Sequence, residues 1–238
     1  FFFQAEDGIR DKLVTGVQTC ALPISFCRRP WNKLARQDGM EIMKTVHTAI
    51  LPGIITYTGA ELSPHWIAQR TGIFANSLVA FRGACSVLAQ EMVDMEDRMA
   101  HSKILAAEML HFLGEWFDCS LEMAVTRQRL FIASFAEVLR RHLPGDKASF
   151  FYRRGNDLFF SDQTGEYPSK LSVSIVTASA VSTLFHFGVN IDPQGAPIRA
   201  IGLKQLGVEP ESLARETLNA WQNEWESIHK DRCKVVPR

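Results

Sequence analysis

No sign of charge dominates this sequence: 26 lysines and arginines stand against 26 aspartates and glutamates over 238 residues. Such a balance leaves no electrostatic footprint for nucleic acid or for an anionic membrane surface, and neither partner is expected. No apolar run approaches the roughly 20 residues of a spanning helix. Cysteine is sparse, at five residues without metal-type spacing, so no cysteine-ligated metal site is expected and no metal ligand is assigned. An odd, unpaired set of cysteines fits a reducing, cytoplasmic compartment. Repeats, low-complexity tracts and linkers are lacking as well.

The N-terminus does not read as native sequence. Residues 4–11 read QAEDGIRD and residues 14–24 read VTGVQTCALPI. Both resemble in-frame translations of the standard short-read sequencing adapter, in the adapter's own order, with Lys12-Leu13 in the place of the sample index. Residues 1–25 are therefore read as adapter. The acidic Glu6, Asp7 and Asp11 argue against the positively charged start of a signal peptide. Residues 26–42 are polar and aperiodic and read as upstream read-through, disordered, with the natural start at Met40 or Met43. Residues 43–238 remain, with 20 basic and 21 acidic residues, and are long enough for one domain with a real core.

Within that domain, residues 46–55 are apolar and β-branched around Pro52-Gly53, which predicts a bent strand or a strand pair. Ser63 and Pro64 are placed to cap a short helix ending near Gly72. Residues 77–81 and 86–89 read as two strands with Arg82-Gly83-Ala84-Cys85 between them. In residues 104–117, Leu105, Met109, Phe112, Leu113 and Trp116 recur at helical spacing, which predicts an amphipathic helix. Residues 126–143 repeat the pattern through Phe131, Phe135, Val138 and Leu139, and Pro144-Gly145 stops it. A last helix over 209–230 opens at Pro210 and presents Ala214, Leu218, Trp221, Trp225 and Ile228.

Residues 153–191 are the most informative stretch. Three short apolar runs (157–160, 171–178 and 183–191) are separated by turn chemistry and predict a meander of antiparallel strands. Strands grouped together, with helices inserted, predict an α+β fold with a mainly antiparallel sheet.

Polar residues at the seams of this stretch are the candidate site. Lys170 opens an apolar strand, where its ammonium would hold a carboxylate, phosphate or acyl oxygen and stabilise developing negative charge. The alternative is a strand-edge lysine in water. Asp157 is its structural or acid–base partner. Cys85 follows Arg82-Gly83; a neighbouring guanidinium would favour thiolate and make it a candidate acyl acceptor. The competing reading is a small buried hydrophobe. Arg82 interrupts an apolar strand and so calls for an anionic partner, either a ligand or a nearby carboxylate. Strand alternation places Leu184, His186 and Gly188 on one face, so His186 is either a satisfied core histidine or a pocket residue. Gly83, Asn156, Gly188 and Asn190 complete the candidate substrate-binding set. Glu91, Asp94, Glu96 and Asp97 read as a solvated helix start, with Mg2+ held through oxygen ligands as the alternative.

From about Lys44 onward the chain resembles an uncharacterised prokaryotic family, the domain of unknown function numbered 366. The resemblance rests on YTGAELSPHW, NSLVAFRGACSV, EMVDMEDR, MLHF, AVTRQRL, GNDLFF, KLSVSI and HFGVNI. The order GNDLFF, KLSVSI, FHFGVNI, IGLKQLG and then a helix is also similar to the catalytic domains of biotin and lipoate protein ligases and octanoyltransferases. That resemblance implies a class II synthetase-like fold. By it, Asn156-Asp157 take the place of the ligases' N-D pair, Lys170 that of the acyl- or phosphate-contacting lysine, and Gly188 and Asn190 that of the G-x-N. The ligases' Gly/Arg-rich loop, which closes over the acyl-adenylate, has no counterpart beyond Arg82-Gly83. The octanoyltransferases' later cysteine has none in residues 192–206. The implied function is an acyl or carboxylate transferase or ligase acting on a small-molecule or acyl-carrier substrate. The alternative is a non-catalytic small-ligand-binding or assembly protein that has lost the adenylation loop. No cofactor is assigned.

Overall fold

The computed structural model describes residues 46–161 and 168–236. The expected adapter, read-through and start at Met40 or Met43 lie outside the described residues, as does the turn at Gly165. Among the described residues, eight strands and five α-helices follow in order. A five-stranded sheet holds β1 (His47–Ile54), β2 (Ser77–Val87), β3 (Ile104–Trp116), β8 (Thr183–Asp192) and β7 (Ser172–Ala178), in that spatial order. β1 runs parallel to β2, and every other pairing in the sheet is antiparallel. A second sheet holds β4 (Phe151–Arg154), β5 (Asp157–Phe160) and β6 (Ser169–Lys170). The α+β expectation holds.

The large sheet is covered on both faces. On one side α3 (Leu121–His142) and α5 (Pro210–Lys234) bury Phe131, Phe135, Leu218 and Trp221 against Leu110, Phe112, Phe185 and Phe187. On the other, Tyr57, Ile67, Phe81, Cys85, Met109 and Leu113 form a second cluster. Ile67 comes from α1 (Trp66–Thr71).

This two-sided burial explains the largest departure from expectation. The predicted helix over 104–117 is β3. Phe112 and Trp116 belong to the helix-covered face, and Met109 and Leu113 to the opposite one. A strand buried on both faces is apolar throughout and carries no alternation. A continuous apolar run satisfies a helical template as readily as a strand template. β2, expected as two strands, is one, with a register irregularity between Gly83 and Cys85. The three-run meander is a hairpin of β7 and β8, while β5 pairs with β4 and β6 instead. The chain crosses between sheets at the fully buried Leu171, whose N–H donates to Leu158 and whose carbonyl accepts from Asn190.

α3 begins at Ser120, which caps Met123 N–H, and α5 is capped by the Glu209 carboxylate. Ile228 stays half-exposed on α5. α1 does not start at Ser63. His65 precedes it in the left-handed region, with φ 61°. Its N–H donates to the buried Glu115 carboxylate at 2.9 and 3.0 Å, and Ser182 Oγ adds a bond of 2.7 Å. The carboxylate thus supplies the anchor that a capping serine was expected to give. Among the described residues no helix is long and apolar enough to cross a membrane.

Candidate functional site

A cavity of about 650 Å3 opens on the face of the large sheet away from α3 and α5. It lies in the size range of small-molecule sites. Six of the nine sequence-predicted site residues line it: Cys85, Asn156, Asp157, Lys170, His186 and Asn190. Arg82, Gly83 and Gly188 do not.

Lys170 is held from two sides. Its strand pairs with β5, and its N–H and C=O bond to Arg199 and Ile201. Its ammonium lies 2.9 Å from Asp157 Oδ2, with both side chains about one quarter exposed. Asn156 sits in the two-residue β4–β5 loop and donates to the Ser174 carbonyl at 3.1 Å, tying that loop to β7. The Asn190 amide donates to the carbonyls of Lys170 and Ile201, each at 3.3 Å. Both amides therefore spend their donors on backbone and shape the wall beside Lys170.

Arg82 meets the second half of its expectation. Its guanidinium bonds the Glu108 carboxylate, with Nε at 3.1 Å from Oε1, and Lys204 Nζ sits 3.2 Å from the other oxygen. Burial alone would raise the Glu108 carboxyl. Hydrogen bonds from Arg82 and Lys204 outweigh it and hold the carboxyl below its ordinary value. With its guanidinium committed to Glu108, Arg82 does not act on Cys85. Burial, with the Glu61 carboxylate adding to it, pushes the Cys85 thiol up to about 12. The expected lowering towards thiolate is reversed in sign. Asp94 is committed too, its carboxylate capping α2 (Met95–Met99) through the N–H groups of Glu96 and Asp97.

His186 has a partner that sequence reasoning missed. His111, fully buried on β3, places Nδ1 3.1 Å from His186 Nε2 and Nε2 3.3 Å from the Gly83 carbonyl oxygen. Tyr57 stacks on His186 with centroids 3.8 Å apart and planes 7° from parallel. Burial pushes His111 down to about 4 and His186 well below its ordinary value, so both rings are neutral. Burial likewise drives the Tyr57 hydroxyl upward, so it stays protonated. His111 lay hidden inside the run read as a helix. Once that run is a strand, the alternation of Met109, His111 and Leu113 brings it to the Cys85 face.

The histidines predict an acid-sensitive fold. Burial lowers both pKa values, so the unfolded chain binds more protons than the folded one between the two values. Stability is complete above the unfolded value of about 6.5 and falls as pH drops towards 4. A His111 shift of that size is worth on the order of 3 kcal/mol. Urea midpoints between pH 7.5 and 4.5 are expected to fall steeply in the natural chain and less steeply in His111→Gln. Parallel slopes would refute the assignment.

The family model described as a domain of unknown function, DUF366, matches residues 46–236. The chain belongs to that family. An uncharacterized protein of Methanocaldococcus jannaschii is 31% identical over 190 residues, which cover 77% of this chain and 81% of the relative. A protein of unknown function from Pyrococcus horikoshi is similar in structure, with TM-score 0.73 and 34% identity, covering 82% of this chain and 100% of that one. Biotin protein ligase from Aquifex aeolicus also matches, with TM-score 0.46 and 12% identity over 79% of this chain and 72% of the ligase. As a DUF366 protein the chain has relatives whose names report no activity, and its chemistry must be argued from its own cavity.

Proposed function

We propose that the chain binds a small molecule through a carboxylate or acyl oxygen held by Lys170, and that it acts as an acyl or carboxylate transferase or ligase. The observation that carries the reading is the Lys170–Asp157 pair on the wall of the 650 Å3 cavity. A lysine ammonium partly withdrawn from water stabilises an oxyanion more strongly than one in bulk solvent. Asp157 positions it, and yields to an incoming carboxylate. The apolar part of the wall, including Leu62, Val87, Val173 and Ile175, suits an acyl chain. The acceptor would come from the second substrate, because the buried Cys85 thiol stays protonated. The free thiols of Cys85, Cys119 and Cys233 support a cytoplasmic setting.

A second reading, ligand binding without catalysis, draws support from the same protonated thiol and from the lack of a Gly/Arg-rich loop. One experiment separates the two. The full chain is incubated with ATP and biotin, lipoate or octanoate, or with acyl-carrier thioesters. Intact mass and pyrophosphate release are then measured. The proposal expects an acyl adduct, an acylated acceptor or pyrophosphate, reduced about 100-fold or more in Lys170→Ala. Turnover that is absent, or indifferent to Lys170, removes the enzyme reading. Calorimetry with octanoate then tests binding alone. Lys170→Ala should weaken it about tenfold or more, and Asp157→Asn should strengthen it by removing the competing carboxylate.

A further inference from the structure

The wall of the cavity carries a hydrogen-bond acceptor whose polarity is set from outside. A carbonyl oxygen only accepts, so the His111 Nε2 facing Gly83 carries the hydrogen. A neutral imidazole has one N–H, which leaves His111 Nδ1 as a lone pair. That lone pair faces His186 Nε2 at 3.1 Å, so Nε2 is the N–H of His186. The remaining nitrogen, His186 Nδ1, is therefore a lone pair too. Reversing the chain would set a lone pair against the Gly83 carbonyl. The backbone of β2 thus fixes a tautomer two rings away.

Among the described residues no group bonds His186 Nδ1. Nor is it one of the fully enclosed side-chain atoms without a partner, which are His47 Nε2, Trp116 Nε1, Thr217 Oγ1 and Trp221 Nε1. His186 is 3% exposed and lines the cavity, so the nitrogen opens into it. The Tyr57 stack and the His111 bond hold the ring in place. A deeply placed, rigid acceptor discriminates strongly, because a ligand lacking a donor leaves it unpaired.

We infer that His186 Nδ1 is a ligand-binding acceptor, and that the cavity selects a molecule carrying an O–H or N–H donor in addition to the oxygen held by Lys170. The inference rests on the cavity being the ligand site proposed above, and it narrows the ligand class. Hydroxy- or amido-substituted carboxylates fit best, whereas an unsubstituted fatty acid such as octanoate binds through Lys170 alone, leaves the acceptor bare and so binds more weakly.

The test uses the full chain labelled with 15N-histidine. Long-range 1H–15N correlation at neutral pH is expected to show both His111 and His186 as Nε2–H tautomers. A His186 ring protonated at Nδ1 overturns the inference. Phenol and toluene, alike in shape but only one a donor, are then titrated. Phenol should move the His186 Nδ1 resonance and bind about tenfold or more tighter than toluene. Equal affinities, or an unmoved Nδ1, overturn it. His186→Phe retains the stack on Tyr57 and should abolish the difference; where that variant fails to fold, the labelled natural chain decides. The same titration in Lys170→Ala keeps the two ideas apart. A donor effect that survives there, beside octanoate binding indifferent to Lys170, would sink the carboxylate reading and leave the acceptor standing.

Discussion

Phe131→Ala is expected to cost about 3–5 kcal/mol of folding stability. Phe131 is fully buried on α3 and touches four rings from three other elements. Phe112 on β3 lies 5.3 Å away, Phe185 and Phe187 on β8 lie 5.2 and 5.7 Å away, and Trp221 on α5 lies 5.4 Å away, all steeply inclined. Removing the ring deletes its transfer energy and leaves a cavity that the four surrounding rings, fixed on packed elements, cannot close. Edge-to-face pairs add about 0.5–1.5 kcal/mol each beyond buried area. Domains of this size are stable by about 5–15 kcal/mol, so the loss takes a large share of the total. Urea denaturation followed by circular dichroism reads it directly. Phe131→Leu should cost far less, because it refills most of the volume. A loss under about 1 kcal/mol in the alanine variant would mean that this packing does not hold the helices to the sheet.

Phe131 also shows what the sequence could reveal. α3 and α5 each bury one face and leave the other in water, so their stripes are periodic and readable. β3 offers no such contrast. It is sandwiched, with Leu110 and Phe112 entering one cluster and Met109 and Leu113 the other. Local sequence holds no record of what covers each side of a strand. The same limit governed the site. Asn156, Asp157 and Lys170 stood out because turns and strand starts mark them locally. His111 and Tyr57 carried no local mark, since their significance lies in reaching His186 from 75 and 129 residues away in the chain. Arg82 and Cys85 were three residues apart and were expected to interact. The irregularity at Gly83 and the pull of Glu108 separate them.

Gly83→Ala is expected to destabilise the fold by about 3 kcal/mol or more and to disarm the cavity at the same time. A Cβ at Gly83 would sit 1.9 Å from the Ile55 carbonyl oxygen and 2.5 Å from its carbon. Those are backbone atoms, and no rotamer moves them aside. Ile55 is pinned there, its N–H donating to Arg82 at 2.8 Å. Two residues on, Tyr57 is bound to the same strand by its own N–H and C=O. Relief of the clash must lift residues 55–57 off β2. That movement drags Tyr57 from its stack on His186 and disturbs the Gly83 carbonyl that orients His111. The entropic benefit of replacing glycine, about 0.4–1 kcal/mol, is too small to offset it. Gly188→Ala provides the contrast: its nearest obstacle, at 2.8 Å, is the terminal methyl of Met109, a flexible group that can turn away, and the next, His186 and Val173 at 3.2 and 3.3 Å, are side chains that need give only a few tenths of an ångström. Thermal unfolding should place Gly188→Ala modestly below the natural chain and Gly83→Ala well below both. In Gly83→Ala the 15N spectrum of His186 should lose its single tautomer. A Gly83→Ala protein with unchanged stability and an unchanged histidine spectrum would show that the backbone of residues 55–57 does not lie where the cavity needs it.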